Sequence, residues 1–196
     1  MKRLNNINLN IPEKADEIFN SRWKGELHYI DWIRFSELAK DFKGGKYLDI
    51  GCFNSPMPLY LYHEFKGCET WGIDHAPKLI ETLKARHPEV NYLNMDITKE
   101  LPFENNFFDY IVAGELIEHL EDPQKFIDEM YRILKPNGIF ALSTPFEELV
   151  KQDIVSEEHL WSYNEDDIYK LLGNFGDARV QVMRDSITYF VAHAIK

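Results

Sequence analysis

Cysteine is nearly absent from this chain of 196 residues, which has only Cys52 and Cys68. Two thiols cannot build a disulfide framework or a cysteine-based zinc site. They read as reduced thiols, and the expected compartment is the cytoplasm. Basic charge is also scarce: 22 Lys and Arg stand against 33 Asp and Glu, for a net charge of −11 with histidine neutral. An acidic surface repels phosphate, so DNA and anionic membranes are excluded as partners and RNA is disfavoured. No apolar run approaches the roughly 18 residues of a membrane span. The opening MKRLNNINLNIPEK carries basic residues with no apolar stretch behind them, so no signal peptide is expected. Proline and glycine are too few for a fibrous or disordered chain, at 9 and 10 residues. What is present is apolar residues at 44%, including 14% aromatics, enough for one substantial core. The length fits one domain spanning 1–196.

The order of elements predicts an α/β fold. Apolar residues from Leu27 to Phe42 recur at spacings of three and four, which predicts a helix over 13–42 that Gly44-Gly45 stops. Beyond it, short apolar runs at 46–51, 70–73, 90–95, 108–113 and 138–143 alternate with helical stretches at 56–66, 77–86 and 123–134. That alternation predicts a doubly wound, mostly parallel sheet with helices on both faces. A long irregular stretch follows Ser143, then a helix near 164–173. The runs 179–183 and 187–195 are expected to pair as an antiparallel hairpin at the sheet edge. That edge would also suit contact with a second copy, making a homodimer.

Ligands of such sheets bind beyond the carboxyl ends of the strands, where strand order reverses. The first such end reads YLDIGCFNSPMP, with Asp49 at the strand end, Gly51 at the turn and Pro56 suited to the first turn of a helix. A dinucleotide fingerprint needs three glycines there, and Phe53 and Pro56 hold the places of the second and third. The loop thus points to an adenosine-type ligand without a diphosphate, or to an ordinary tight turn. Asp74 ends the next run 23 residues past Gly51, a spacing suited to accepting hydrogen bonds from ribose hydroxyls. In YLNMDI, Asp96 can accept a proton from an exocyclic amine, and Ile97 can cover a purine ring. Taken singly, each aspartate reads equally well as a solvated strand-end carboxylate.

The segments YLDIGC, GID, NMDITKELPFENNFFDYIVAGELIEHLEDP and LKPNGIFALSTP resemble the class I S-adenosylmethionine-dependent methyltransferases of the small-molecule type. The resemblance implies a Rossmann-like core at 46–196 beneath an N-terminal helical cap at 1–45, with S-adenosylmethionine as cofactor. It places Asp49, Gly51 and Cys52 against the methionine part, and Asp74 with His75 at the ribose. Asp96 and Ile97 would meet the adenine, and Gly114 would lie near the sulfonium. The family's later loop glycines are replaced here by Phe53 and Ser55.

The fourth strand end runs into Glu115-Leu116-Ile117-Glu118-His119. If the chain turns helical there, Glu115, Glu118 and His119 share one face, a nucleus for a divalent cation such as Mg²⁺. His159, returning to the same sheet edge after the fifth strand, is the natural fourth ligand. The E-x-x-E-H segment with a later histidine is similar to ubiquinone-pathway O-methyltransferases and small-RNA 2′-O-methyltransferases. In the latter the same constellation binds a metal. A bound cation would lower the pKa of an acceptor hydroxyl and orient it. Two other readings stay open: His119 or Glu115 as a base without metal, and a purely structural helix residue. Aromatics at Trp23, His28, Tyr29, Trp32 and Trp161 are candidates for a lid, and Arg22 or Lys24 for the cofactor carboxylate. The resemblance implies methyl transfer to a small-molecule or glycan acceptor, most simply at a hydroxyl oxygen. Carbon or nitrogen acceptors, and a cofactor-binding protein without turnover, are the alternatives.

Overall fold

A computed structural model describes residues 2–3, 29–146, 159–184 and 188–196. Strand β1 (Lys2–Arg3) is followed by α1 (Tyr29–Ala39), β2 (Lys46–Ile50), α2 (Met57–Glu64), β3 (Glu69–Asp74), α3 (Pro77–Arg86) and β4 (Asn91–Asn94). Then come β5 (Phe108–Gly114), a 3₁₀ turn (Ile117–His119), α4 (Pro123–Ile133), β6 (Leu134–Pro145), β7 (Trp161–Ser162), α5 (Glu165–Leu171), β8 (Asp177–Arg184) and β9 (Thr188–Ile195). Seven strands form one sheet in the order β4-β3-β2-β5-β6-β9-β8. The pairs among β2 to β6 are parallel, and β9 is antiparallel to both β6 and β8. This is the expected doubly wound sheet with its antiparallel hairpin, and β8 forms the edge.

Both faces are covered because most strands are apolar on both sides. On one face Leu38, Phe42, Met57 and Leu61 of the α1 and α2 region pack on Tyr47, Tyr110 and Val112. On the other, Phe126, Ile127, Met130 and Ile168 from α4 and α5 pack on Ile50, Ile111 and Phe140. Strand order reverses between β2, which leads out to β3 and β4, and β5, which leads to β6. The carboxyl ends of β2 and β5 therefore border the ligand crevice of this topology.

Two local differences from the sequence expectation have physical causes. The described helix ends at Ala39, five residues before Gly44, as Phe42 N–H turns back to Ala39 O at 3.0 Å. Residues 13–28 of the expected helix lie outside the described residues. Strand β6 begins at Leu134, so Pro136-Asn137-Gly138 runs inside a strand. Asn137 takes a φ of 64°, and the β5–β6 register slips between Phe108 and Tyr110. A local bulge thus absorbs the residues that read as a helix stop. No described helix is long and apolar enough to cross a membrane.

Candidate active site

At the carboxyl ends of β2 to β4 the crevice holds a set of carboxylates tied to loop backbone. Gly51 turns the chain out of β2 with a φ of 70°, and a side chain there would begin 2.8 Å from Leu116 Cδ1. Both the conformation and the close approach require glycine. Gly51 N–H and Cys52 N–H both donate to Ile73 O, at 2.8 and 2.9 Å. Phe53 also adopts a left-handed backbone, with a φ of 41°. The loop thus keeps a glycine-like geometry at that residue, at a conformational cost of about 1 kcal/mol. Asp74 pins it: Phe53 N–H donates to Oδ2 at 3.0 Å and Ala76 N–H to Oδ1 at 2.9 Å. Each oxygen retains a second lone pair for a ligand hydroxyl. His75 lies alongside, with Nδ1 3.6 Å from Asp74 Oδ1.

Asp49, at the end of β2, is 3% exposed, and its Oδ2 has no hydrogen-bond partner. Burial pushes its pKa up to about 7, against a lowering hydrogen bond from Ser55, while Asp74 adds to the rise and Arg34 opposes it. A buried carboxylate with an unmet oxygen fits a cationic ligand group, such as the ammonium of a methionine moiety. Asp96 Oδ1 accepts from Thr98 N–H at 3.0 Å and from its hydroxyl at 2.6 Å, while Lys99 lies 3.2 Å from Oδ2. Ile97 is buried beside it and opens a groove of about 690 Å³ that runs past Leu120 and Phe126. Cys52 points away from the loop into a buried cluster with Ala76, Leu79 and Tyr92. What residue 52 offers a ligand is backbone. Gly114 ends β5 opposite Ser143, with Leu38 of α1 close to its Cα.

The second half of the site gathers residues far apart in sequence. Glu118, His119 and His159 bring one ligand atom each within 4.8 Å of one another, and they are the group of this kind among the described residues. Glu118 is 1% exposed. Its Oε2 accepts from Thr144 Oγ1 at 3.0 Å, whereas Oε1 makes no hydrogen bond and lies 3.9 Å from His119 Nε2. Burial raises the Glu118 pKa well above the usual carboxylate range, and the charge of Glu115 raises it further. The two imidazoles meet edge to face, with centroids 4.9 Å apart. His159 is delivered by a row of bonds from its own segment onto the 3₁₀ turn. Leu160 N–H donates to Glu118 O at 2.8 Å, Trp161 Nε1 to Leu120 O at 2.6 Å and Tyr163 OH to Ile117 O at 3.0 Å.

Glu115 departs from the expected helical face. Its φ of 50° and the short 3₁₀ turn after it replace the helix in which positions 115, 118 and 119 would align. Its carboxylate instead accepts from Ser143 Oγ at 2.8 Å and faces Arg34 Nη1 at 4.0 Å, outside the three-residue cluster. Arg34 escaped the sequence reading, which looked for a cation at Arg22 or Lys24; both lie outside the described residues, as do Trp23 and His28. The available signal was helical spacing: Arg34 falls four residues before Leu38, which covers Gly114.

A reversed-order α/β sheet with acidic residues at three successive strand ends defines a nucleoside-type ligand binder rather than a dinucleotide enzyme. Comparison with known proteins makes that class specific. A family model described as a methyltransferase domain matches residues 48–142. The ubiquinone biosynthesis O-methyltransferase of Rickettsia canadensis is 32% identical over 148 residues, covering 67% of this chain and 61% of that protein. The demethylmenaquinone methyltransferase of Listeria welshimeri is 30% identical over 129 residues, covering 62% and 54%. An S-adenosylmethionine-dependent methyltransferase from Archaeoglobus fulgidus superposes with a TM-score of 0.71 at 16% identity, over 92% of this chain and 99% of that one. The chain belongs to the S-adenosylmethionine-dependent methyltransferase family. It spans less than two thirds of the two curated relatives just described.

Proposed function

We propose that this protein transfers the methyl group of S-adenosylmethionine to a hydroxyl oxygen of a small-molecule or glycan acceptor, with a divalent cation at Glu118, His119 and His159. The observation that carries the reading is the buried Glu118 Oε1, unmatched by any hydrogen bond and directed to two imidazoles. Two histidines and one carboxylate suit a borderline divalent ion and leave other coordination positions for an acceptor. When bound, such an ion lowers the pKa of a ligated hydroxyl. The protein's own contribution is placement. Methyl transfer is an in-line displacement: the acceptor oxygen forms a bond to carbon as the bond to sulfur breaks, leaving S-adenosylhomocysteine, and the hydroxyl proton is released to solvent. Holding the acceptor beside β5 and the cofactor beside β2 makes the reaction intramolecular in effect. The relative named a ubiquinone biosynthesis O-methyltransferase supports an oxygen acceptor. A carbon or nitrogen acceptor served by His119 as base is the competing reading, since His119 lies beside a buried carboxylate.

The test is calorimetric. Chelator-stripped protein saturated with S-adenosylhomocysteine is titrated with Mg²⁺, Mn²⁺ and Zn²⁺, alongside His119→Ala and Glu118→Gln. Saturable binding in the parent, lost in both variants, is expected. Absence of ion heat in protein that binds S-adenosylhomocysteine would sink the ion and favour His119 as a base.

A further inference from the structure

The last turn of α1 is tied to the sheet by two side chains that the proposed chemistry does not use. A helix leaves its final carbonyls without intrahelical partners. Glu37 O and Leu38 O, both in that last turn, find theirs in the sheet. Tyr110 OH, from β5, donates to Leu38 O at 2.7 Å, and His193 Nε2, from β9, lies 3.1 Å from Glu37 O. A carbonyl can only accept, so Nε2 carries the His193 proton. β5 and β9 flank β6, so the two bonds hold the helix from either side of the strand it crosses. The rest of this contact is apolar, with Leu38 and Phe42 packed among Val112, Ala141 and Val191. Apolar packing is non-directional and tolerates sliding, whereas hydrogen bonds fix a helix along and about its axis. The position so fixed matters at the crevice. A side chain on Gly114, at the carboxyl end of β5, would begin 3.3 Å from Leu38 Cδ1. α1 is therefore the wall of the crevice on the side of β5.

We infer that Tyr110 and His193 are positioning residues for the cofactor: by holding Leu38 O and Glu37 O they set where the α1 wall stands, and with it the room beside Gly114 for S-adenosylmethionine. The inference rests on the reading that the cofactor occupies the crevice between β2 and β5. Both residues act through α1. Tyr110 is buried, and burial pushes its hydroxyl well above the ordinary tyrosine pKa, so it remains a donor.

The experiment titrates S-adenosylhomocysteine by calorimetry into the full chain as parent, Tyr110→Phe, His193→Leu and His193→Gln, with the stability of each measured by urea unfolding. Loss of one tie is expected to weaken binding about tenfold in Tyr110→Phe and in His193→Leu. His193→Gln keeps an N–H donor for Glu37 O and is expected to bind within about twofold of the parent. Asp109→Ala separates positioning from stability. It unties Lys46 N–H and Lys135 at the amino edge of the sheet, opposite the crevice, and should lower stability with affinity unchanged. Parent-like affinity in either folded variant, Tyr110→Phe or His193→Leu, overturns the inference. So does a loss in His193→Leu that His193→Gln does not restore, or an equal loss in Asp109→Ala. If Tyr110→Phe does not fold, the two His193 variants decide. In each of these cases the parent still binds S-adenosylhomocysteine, so the methyl-transfer reading stands. A folded parent that binds none overturns that reading and the inference together.

Discussion

The two halves of the crevice use carboxylates in opposite ways. Around β2, β3 and β4, Asp74 and Asp96 spend their oxygens on loop N–H groups and a threonine hydroxyl, so the pocket is shaped before any ligand arrives. Beyond β5, Glu118 keeps one buried oxygen unmatched, and Glu115 is held by an arginine from another layer. The first half is organised by local hydrogen bonds. The second stores unmet polar capacity; burial, with the charge of Glu115, raises the pKa of Glu118, which suits it to a ligand that supplies positive charge. Asp49, with its own unmet oxygen, brings the second pattern into the first half.

The largest effect expected is from Asp74→Ala. It strands two backbone N–H groups in a loop already strained at Phe53, which costs about 3 kcal/mol of stability. S-adenosylhomocysteine affinity should fall about a hundredfold. Denaturant unfolding and calorimetry check both; unaltered stability would break the distinction between the two halves.

Asp49→Asn should act in opposite directions on fold and ligand. Its folded pKa of about 7 lies above the ordinary 3.8, so the folded state holds a proton that the unfolded chain releases. Stability of the empty protein therefore falls as pH rises from about 4 to about 7, with no further change from this group above. The asparagine variant removes that loss, raising Tm at pH 7.5 by about 5 °C and flattening its pH dependence below 7. It should also weaken S-adenosylmethionine binding. A Tm that drops at pH 7.5 would place Asp49 with the pre-organised carboxylates instead.

The smallest effect is expected from Trp161→Phe. Loss of the bond to Leu120 O costs about 1 kcal/mol. Because that bond helps deliver His159, Mn²⁺ affinity should fall about tenfold while S-adenosylhomocysteine affinity stays unchanged. Equal loss of both ligands would show that the halves are one mechanical unit.

Much of the fold was legible because its causes are local. Apolar runs of strand length alternating with amphipathic stretches specified the parallel sheet, and the antiparallel hairpin of β8 and β9 followed from two adjacent runs. The positions of Asp74 and Asp96 were legible for the same reason: β3 ends at Asp74, and Asp96 follows just beyond the end of β4 at Asn94. Glu115 was misplaced because a helical face was assumed where a single left-handed residue re-aims the chain, and no neighbouring residue type announces that turn. Arg34 was missed because its role depends on how α1 lies across β5, which periodicity does not encode.

By itself, then, the chain's pattern of apolar spacing and strand-end acids determined the sheet, the crevice and the carboxylates at the ends of β2 to β4. Only tertiary structure decided the membership of the second cluster. His159 joins Glu118 and His119 through bonds that close a 40-residue separation, and Glu115 stays out because Ser143 and Arg34 offer it partners from two other elements. Local hydrogen-bonding chemistry can be read along a sequence; competition among distant partners for one buried charge exists only once the layers have packed.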